Sequence, residues 1–213
     1  MFYTFAAVEE KVKLILRQVR DIFMRFGLKS VTMDDLCREL SISKKTLYQH
    51  VSDKNDLVKK AVEFEIDRDQ CEISDIIGKN LSAMDELFEI ASTVEEKLNN
   101  LHPSILYDMQ KYYPEAWAVM SRHRNEFIVK TMSNNILKGQ EEGIFRRDID
   151  VKIISLLFAM KIELLADNMM YAHLGIKPAQ IYFENLKYHV RGISNEAGLR
   201  ALEKKLESKN PNL

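Results

Sequence analysis

Residues 32–51 read TMDDLCRELSISKKTLYQHV, a pattern that predicts two short helices joined by a tight turn. In the first half, four apolar side chains recur at the i, i+3, i+4, i+7 spacing of one helical face. They are Met33, Leu36, Cys37 and Leu40. Thr32 is suited to the N-cap of this helix. Two aspartates lie in its first turn, where negative charges interact favourably with the positive end of the helix dipole. We expect the helix to stop at Ser41.

The second helix of this stretch is predicted to carry polar side chains on its outer side. Ser43 lies where an N-cap belongs, and Leu47 with Val51 gives a narrow apolar side that can pack against neighbouring helices. The opposite side presents cations, hydroxyls and an amide, which can contact phosphate oxygens and base edges in a DNA major groove. These side chains are Lys44, Lys45, Thr46, Tyr48, Gln49 and His50. The stretch therefore predicts a helix-turn-helix whose second helix reads DNA.

The charge of the chain is unevenly distributed. The 213 residues have a formal net charge of −1, which by itself does not suggest a nucleic-acid partner. Residues 1–60, however, hold 12 Lys and Arg against 8 Asp and Glu, so this part carries +4 and the remainder −5. A basic N-terminal end on an acidic body directs a polyanion to one face of the molecule.

The rest of the chain predicts further helices separated by turn signals. With 46% hydrophobic residues and only 7 Gly and 4 Pro, the composition favours an all-α fold with a sizeable core. A first amphipathic helix runs from Val8 to Phe26 and ends at Gly27, and a fourth begins at Ser52 or Asp53. A break is predicted over 73–80, followed by helices over 82–101, 114–138, 151–173 and 179–193, and a charged, helix-prone tail over 195–209.

The predicted helix over 151–173 is apolar on more than one side, which is typical of a helix buried from both directions. One side can face its own domain while the other, together with the next helix, meets the same pair from a second subunit. The candidate interface residues are Ile154, Leu157, Phe158, Ile181, Leu186 and Val190. The alternative is that both sides are core of a monomer.

Five features follow one another in the first third of the chain. They are the amphipathic first helix, the turn Phe26-Gly27-Leu28, Val31-Thr32, the segment SISKKTLYQHV, and residues 52–57, SDKNDL. This ordered series resembles the TetR family of transcriptional regulators. Two residues depart from the family pattern, since Ser41 stands where glycine is usual and Lys45 where a small residue is common. A left-handed backbone at Ser41 would cost about 1 kcal/mol.

The resemblance implies a domain organisation and a function. It implies a three-helix DNA-binding unit over 1–52, a linking helix over 53–78 and a larger helical domain over 79–213 for effector binding and dimerisation. The implied function is that of a sequence-specific repressor, released from its operator by a small, mostly apolar effector that acts through the fourth helix. In a homodimer, two recognition helices meet successive major grooves about 34 Å apart and favour a palindromic site in double-stranded DNA.

The side-chain chemistry suggests a role for each candidate DNA contact. We assign base edges or nearby positions to Lys44, Lys45, Thr46 and Gln49, and phosphates to Thr32, Ser43, Tyr48, His50 and Lys54. Lys54 lies in the first turn of the fourth helix, where its ammonium and the exposed backbone N–H groups can hold one phosphate. The alternative for Lys54 is a solvated surface lysine.

Methionines and aromatic residues are concentrated in the body of the chain, and such adaptable walls suit an apolar ligand. The candidate ligand contacts are Tyr107, Trp117, Met120, Phe127, Met160 and Met169. The same residues suit ordinary core packing, which we prefer for most of them.

Enzyme signatures are absent from the sequence, which contains no GxGxxG, GxxxxGK[ST], GxSxG or HExxH. Cys37 and Cys71 form no CxxC pair, which favours a reducing compartment and argues against a zinc site. We expect no catalytic residue, no cofactor, no metal site and no membrane span, in a cytoplasmic protein. The competing classes are an interaction protein that keeps this scaffold without specific DNA binding and, more distantly, an enzyme that uses a cavity of the body.

Overall fold

A computed structural model describes residues 2–166 and 171–209, and the backbone in these ranges is helical apart from short connections and one isolated bridge between Phe145 and Ser194. The helices are α1 (Phe2–Phe26), α2 (Met33–Glu39), α3 (Lys44–Tyr48), α4 (Lys54–Gly78), α5 (Ala83–Asn99), α6 (Ile105–Tyr112), α7 (Pro114–His123), α8 (Val129–Glu141), α9 (Val151–Glu163), α10 (Pro178–Ile193) and α11 (Glu196–Lys209). A π-helical segment, Arg124–Ile128, joins α7 to α8, and 3-10 turns lie at Leu164–Ala166 and Ala172–Leu174.

The described residues form two compact units. The first contains the residues up to 70 together with 100–123, and the second contains 71–99 together with the residues from 124 onward. The division passes through α4, whose first seventeen residues belong to the first unit and whose last eight belong to the second.

The first unit packs four N-terminal helices around one apolar core. One fully buried residue comes from each of these helices: Val19, Leu36, Leu47 and Leu57. Residues 105–116, from α6 and the start of α7, contribute to the same core. Because full burial of an aliphatic side chain contributes roughly 1.5–3 kcal/mol, this core is the main source of stability for the short helices α2 and α3. The core therefore extends beyond residue 52, and the predicted division into three functional parts stays a prediction.

The second unit joins α5, α8, α9, α10 and α11. A buried polar cluster ties α8 to the start of α5, because the Asn135 amide donates to the carbonyl of Ala83 and to Glu86, both at 2.9 Å. The Lys138 ammonium donates to the other oxygen of Glu86 at 2.7 Å. Glu86 is only 4% exposed, and these two donors satisfy the hydrogen-bonding needs of both its carboxylate oxygens.

Packing extends α4 beyond its predicted end. The break predicted over 73–80 is wrong for most of that segment, since α4 continues to Gly78. Ile73 and Ile76 are buried against Ile90 of α5, and this apolar contact outweighs the polar residues between them. The chain turns immediately afterwards, where Asn80 adopts a left-handed backbone with φ of 52°.

Three other predicted boundaries differ from the structure. The single helix predicted over 114–138 is interrupted by the π-helical segment, within which Arg124 is buried and pairs with Glu163 at 3.3 Å. Gly139 does not close α8 but lies inside it, and Gly143, with φ of 75°, follows its end. The helix predicted over 151–173 stops at Glu163 and passes into a 3-10 turn.

A close approach at Gly139 gives a test of the packing of the second unit. A Cβ added there would overlap the ring of Phe145, which is only 2% exposed and has little room to move. We therefore expect Gly139→Ala to lower the free energy of unfolding by about 1–3 kcal/mol, measured by urea unfolding. Gly192→Ala is the matched control because nothing lies within 4 Å of its added Cβ, so it should be neutral or stabilising by about 0.4–1 kcal/mol. Equal midpoints for the two variants would contradict this interpretation.

Candidate nucleic-acid interface

A capping box begins α2, the first helix of the predicted motif. The backbone N–H of Asp35 donates to the Thr32 hydroxyl at 3.1 Å, and the backbone N–H of Thr32 donates to the Asp35 carboxylate at 3.0 Å. The Thr32 hydroxyl itself donates to the same carboxylate at 2.6 Å, and these hydrogen bonds lower the pKa of Asp35. The predicted cap is confirmed. Both donors of Thr32 are engaged, however, so its predicted phosphate contact requires Asp35 to release one of them.

A Schellman turn ends α2 and sets the direction of α3. Ser41 has a φ of 53°, so the left-handed backbone expected at this position is confirmed. The N–H of Ile42 donates to the Cys37 carbonyl at 3.0 Å, and the N–H of Ser41 donates to the Arg38 carbonyl at 3.2 Å. Two otherwise unpaired carbonyls are thereby satisfied, and the turn is held by hydrogen bonds as well as by packing.

A cap and one buried side chain hold α3. The Ser43 hydroxyl accepts from the N–H of Thr46 at 3.0 Å and lies 2.8 Å from the Thr46 hydroxyl, which confirms the predicted cap. Leu47 is fully buried, whereas Tyr48 on the other side is 47% exposed. The helix is shorter than its apolar pattern suggested: it ends at Tyr48, and Val51 lies in the following loop, where its side chain is buried.

The exposed cations of α3 differ in their surroundings. The Lys44 ammonium lies 2.7 Å from the Asp34 carboxylate of α2, and this hydrogen bond raises the pKa of Lys44. Both side chains are more than 60% exposed, so the pair contributes little to stability. Lys45 is exposed and has no carboxylate partner among the described side chains. The pairing of Lys44 with Asp34 was missed from the sequence, because the two residues lie on different helices ten positions apart.

The remaining polar candidates divide between exposed and engaged groups. Gln49 is exposed, and His50 is half-buried with its backbone carbonyl accepting from the Lys60 ammonium at 2.7 Å. Lys54 is also half-buried, which lowers the pKa of its ammonium. That ammonium donates to the Lys29 carbonyl at 3.4 Å and lies 5.7 Å from the centre of the Tyr113 ring. Lys54 is therefore a positioned residue rather than the freely solvated lysine of the alternative interpretation.

The candidate ligand residues are divided between the two units, and their role stays a prediction. Trp117 and Met120 pack against the core of the first unit, whereas Phe127 packs against an isoleucine cluster of the second. Met160 is 54% exposed, and Met169 lies outside the described residues. Tyr107 is half-buried in the first unit, where its hydroxyl accepts from Lys111 at 2.7 Å.

The candidate dimer residues fall into two groups. Phe158, Leu186 and Val190 are at most 3% exposed in the single chain, so they belong to the core of the second unit and offer no surface to a partner. This part of the prediction is wrong, because helical spacing alone does not tell which apolar side faces the chain's own core. Ile154 and Ile181 are half-buried and Leu157 is exposed. Around Leu157, α9 and its neighbours expose further apolar side chains: Ile153, Leu156, Met160, Leu164 and Tyr188.

The described residues contain neither a metal-binding cluster nor a helix able to span a membrane. Within residues 2–166 and 171–209, no group of three or more His, Cys, Asp or Glu side chains is arranged to hold a metal ion. None of the helices in these ranges has the length and apolarity needed to cross a bilayer.

The geometry on the N-terminal side of the chain defines a helix-turn-helix protein: a short cationic helix, capped and anchored by one buried leucine, follows a Schellman turn. Residues 15–61 match the family model described as bacterial regulatory proteins, tetR family. This match covers the helix-turn-helix, so the chain is similar to bacterial transcriptional regulators of that family over these residues.

Two sequence relatives are described as HTH-type transcriptional regulators. The chain is 29% identical over 109 residues to the uncharacterized HTH-type transcriptional regulator YvaF of Bacillus subtilis, an alignment that covers 51% of this chain and 57% of YvaF. It is 23% identical over 147 residues to the HTH-type transcriptional repressor KstR2 of Mycobacterium tuberculosis, covering 66% of this chain and 72% of KstR2. The chain thus matches little more than half the length of YvaF.

Solved structures of regulators have the same fold. The structure of KstR2, described as a ketosteroid transcriptional regulator, has a TM-score of 0.57 at 20% identity and covers 85% of this chain and 94% of its own. A TetR family regulator from Agrobacterium tumefaciens has a TM-score of 0.67 at 16% identity, covering 88% of this chain and 99% of its own. These likenesses concern the fold.

The Schellman turn gives a test that involves only backbone conformation. Ser41→Gly should raise the free energy of unfolding, by up to about 1 kcal/mol, because glycine adopts positive φ without strain. Ser43→Ala, two residues later, should lower it by about 1 kcal/mol through loss of the α3 cap. Thermal unfolding followed by circular dichroism would measure both. A lower midpoint for Ser41→Gly than for the unaltered chain would contradict the argument.

Proposed function

We propose that the chain is a sequence-specific DNA-binding repressor that acts in the cytoplasm as a homodimer on a palindromic operator. One observation carries the proposal. Leu47 anchors α3 on its buried side, and the opposite side exposes Lys45, Tyr48 and Gln49. A helix held in this way can enter a major groove without losing its packing.

The exposed side chains of α3 suit direct reading of bases. A lysine can donate to O6 and N7 of guanine, and a glutamine can pair in two places with adenine. We assign these roles to Lys45 and Gln49, and a phosphate contact to the Tyr48 hydroxyl. Lys44 can join the interface when DNA phosphates compete with Asp34 for its ammonium, which lies 2.7 Å from that carboxylate in the free chain.

The exposed apolar side chains around Leu157 support dimerisation. Five of them follow one face of α9 and the turn after it, with helical spacing: Ile153, Leu156, Leu157, Met160 and Leu164. Each is between 45% and 56% exposed in the single chain. An exposed apolar surface with this continuity commonly marks a protein–protein interface. A second copy of the chain would cover it and present a second α3 to the same DNA.

The proposed function includes a small effector. KstR2 is described as a ketosteroid regulator, which is consistent with a small, mostly apolar effector here. We propose that such a molecule binds the helical body and alters the spacing of the two α3 helices through α4, which continues from the first unit into the second. A ligand can do so only if its affinity differs between the DNA-bound and DNA-free forms.

Lys45→Ala tests the reading of bases. The probe is the duplex that the unaltered chain selects from a random-sequence library, and fluorescence anisotropy measures affinity. Loss of a base-contacting lysine should weaken binding by about tenfold or more and relax the preference at one position of each half-site. Lys130→Ala, an exposed lysine of α8, is the matched control and should bind as the unaltered chain does. If the unaltered chain selects no sequence, the interaction-protein alternative is favoured instead.

A charge placed on the exposed face of α9 tests dimerisation. The double change Leu156→Glu and Met160→Glu should convert the dimer into a monomer, because two carboxylates would have to be buried in the interface. Leu14→Glu is the matched control, since Leu14 is 56% exposed and Met160 54%, but Leu14 lies on α1 in the first unit. Sedimentation equilibrium at micromolar concentration should show a monomer for the double variant and a dimer for Leu14→Glu. A monomeric unaltered chain would exclude this interface.

A further inference from the structure

Lysines and tyrosines from three separate segments of the first unit gather at one surface, which we call the lysine–tyrosine patch. The segments are the loop between α1 and α2, helix α6 with the residue that follows it, and the start of α4. The patch consists of Lys29, Lys54, Tyr107, Lys111, Tyr112 and Tyr113. None of these residues belongs to α3, and sequence reasoning gave only Lys54 a role in DNA binding.

Hydrogen bonds and ring contacts hold the two exposed ammonium groups in place. Lys29 donates to the Tyr112 hydroxyl at 3.3 Å and lies 4.5 Å from the centre of that ring. Lys111 donates to the Tyr107 hydroxyl at 2.7 Å and lies 5.4 Å from the centre of the Tyr112 ring. Tyr112 therefore contacts both cations. Such cation–π contacts fix a lysine without neutralising its charge.

The two exposed cations form no ion pair in the part of the chain that the structure describes. Neither Lys29 nor Lys111 has a carboxylate within ion-pair distance among the described side chains. Among the acids on the neighbouring helices, Glu115 pairs with Lys59 at 3.0 Å, Asp35 pairs with Arg38, and buried Asp108 accepts from Ser104 at 2.8 Å. Asp35 and Asp108 also act electrostatically on Lys54, but neither is within ion-pair distance of Lys29 or Lys111. The hydrogen bond to Tyr107 raises the pKa of Lys111, which stays charged at neutral pH. Two unpaired cations against one ring form a surface that attracts an anion.

The patch is continuous with the helix-turn-helix. The loop that carries Lys29 ends at Thr32, the cap of α2. Two contacts fix this loop to the patch: the buried Tyr113 hydroxyl donates to the Leu28 carbonyl at 3.4 Å, and the Lys54 ammonium donates to the Lys29 carbonyl at 3.4 Å. The position of the patch is thereby tied to the starts of α2 and α4.

We propose that the lysine–tyrosine patch is a second DNA contact, which binds backbone phosphates flanking the bases read by α3. This inference rests on the proposed function. Lys29 and Lys111 supply the charge, the three tyrosines position it, and Lys54 holds the loop. Contacts of this kind lengthen the footprint on DNA and carry no base preference, because phosphates are alike at every step.

Removing both exposed charges on two lengths of DNA tests the inference. The probes are a short duplex limited to the site selected by the unaltered chain and a long duplex with about one more helical turn, roughly 10 base pairs, on each side. Log affinity falls linearly with log salt, and each phosphate contact makes this slope steeper. On the long duplex, the full-length chain with Lys29→Ala and Lys111→Ala should therefore have a slope that is shallower by about 1 for each lysine in each protomer. On the short duplex it should match the unaltered chain, and the selected sequence should not change.

Matched variants separate the patch from general effects of charge. Lys130→Ala with Lys152→Ala removes two exposed lysines from the second unit and should leave the slope unchanged. Lys29→Arg with Lys111→Arg keeps the charge and should restore the slope. If the double alanine variant has a lower unfolding midpoint, Lys29→Gln with Lys111→Gln replaces it, since glutamine keeps a polar head and loses only the charge.

The outcomes distinguish this inference from the proposed function. Selective binding by the unaltered chain, with the same salt slope in the double variant on the long duplex, overturns the patch and leaves the repressor proposal intact. Absence of any selected sequence for the unaltered chain overturns the proposed function and the inference together. Equal loss of affinity on the short and long duplexes also overturns the flanking contact, because the lysines would then act within the core site.

Discussion

Burial of Leu47 is the interaction on which the rest of the interface depends. Helix α3 has five residues, far below the roughly 12–15 at which an isolated helix becomes marginal in water. It exists because Leu47 is fully enclosed and because Ser43 caps its start. The enclosing core draws on α6 and α7 as well as the N-terminal helices, so residues 105–116 support a helix more than fifty positions before them. The outer side of α3 is thereby free to carry only polar groups.

Local signals made this part of the chain predictable. The caps at Thr32 and Ser43 and the left-handed Ser41 depend on interactions within a few residues, and each was expected from the sequence. The end of α4 was not, because buried Ile73 and Ile76 outweigh the polar residues around them only when α5 is present to receive them. Likewise the patch joins Lys29 to Tyr112 across 83 positions, and no local pattern relates them.

In the body of the chain, the spacing of apolar residues does not predict which side of a helix is buried. Helix α9 was expected to be apolar on two sides, and it has both a buried side, with Phe158, and an exposed side, with Leu156 and Met160. The sequence predicted two apolar sides but not which of them faces the chain's own core. Choosing between them depends on α10, because Phe158 of α9 packs against His189 of α10 with their ring centroids 4.7 Å apart. Methionines gave a similar ambiguity, since Met120 packs in a core while Met160 faces solvent.

The π-helical segment between α7 and α8 has a consequence for how the chain can change over evolution. A π turn is an α-helix that has accommodated one more residue, and in an ordinary helix one residue rotates everything after it by about 100°. Losing one amino acid from within Arg124–Ile128 would convert the bulge to regular α-helix, whereas the same loss inside α8 would turn the buried Ile136 away from its neighbours. Homologous chains that differ by a single residue in length are therefore expected to take up the difference in this segment.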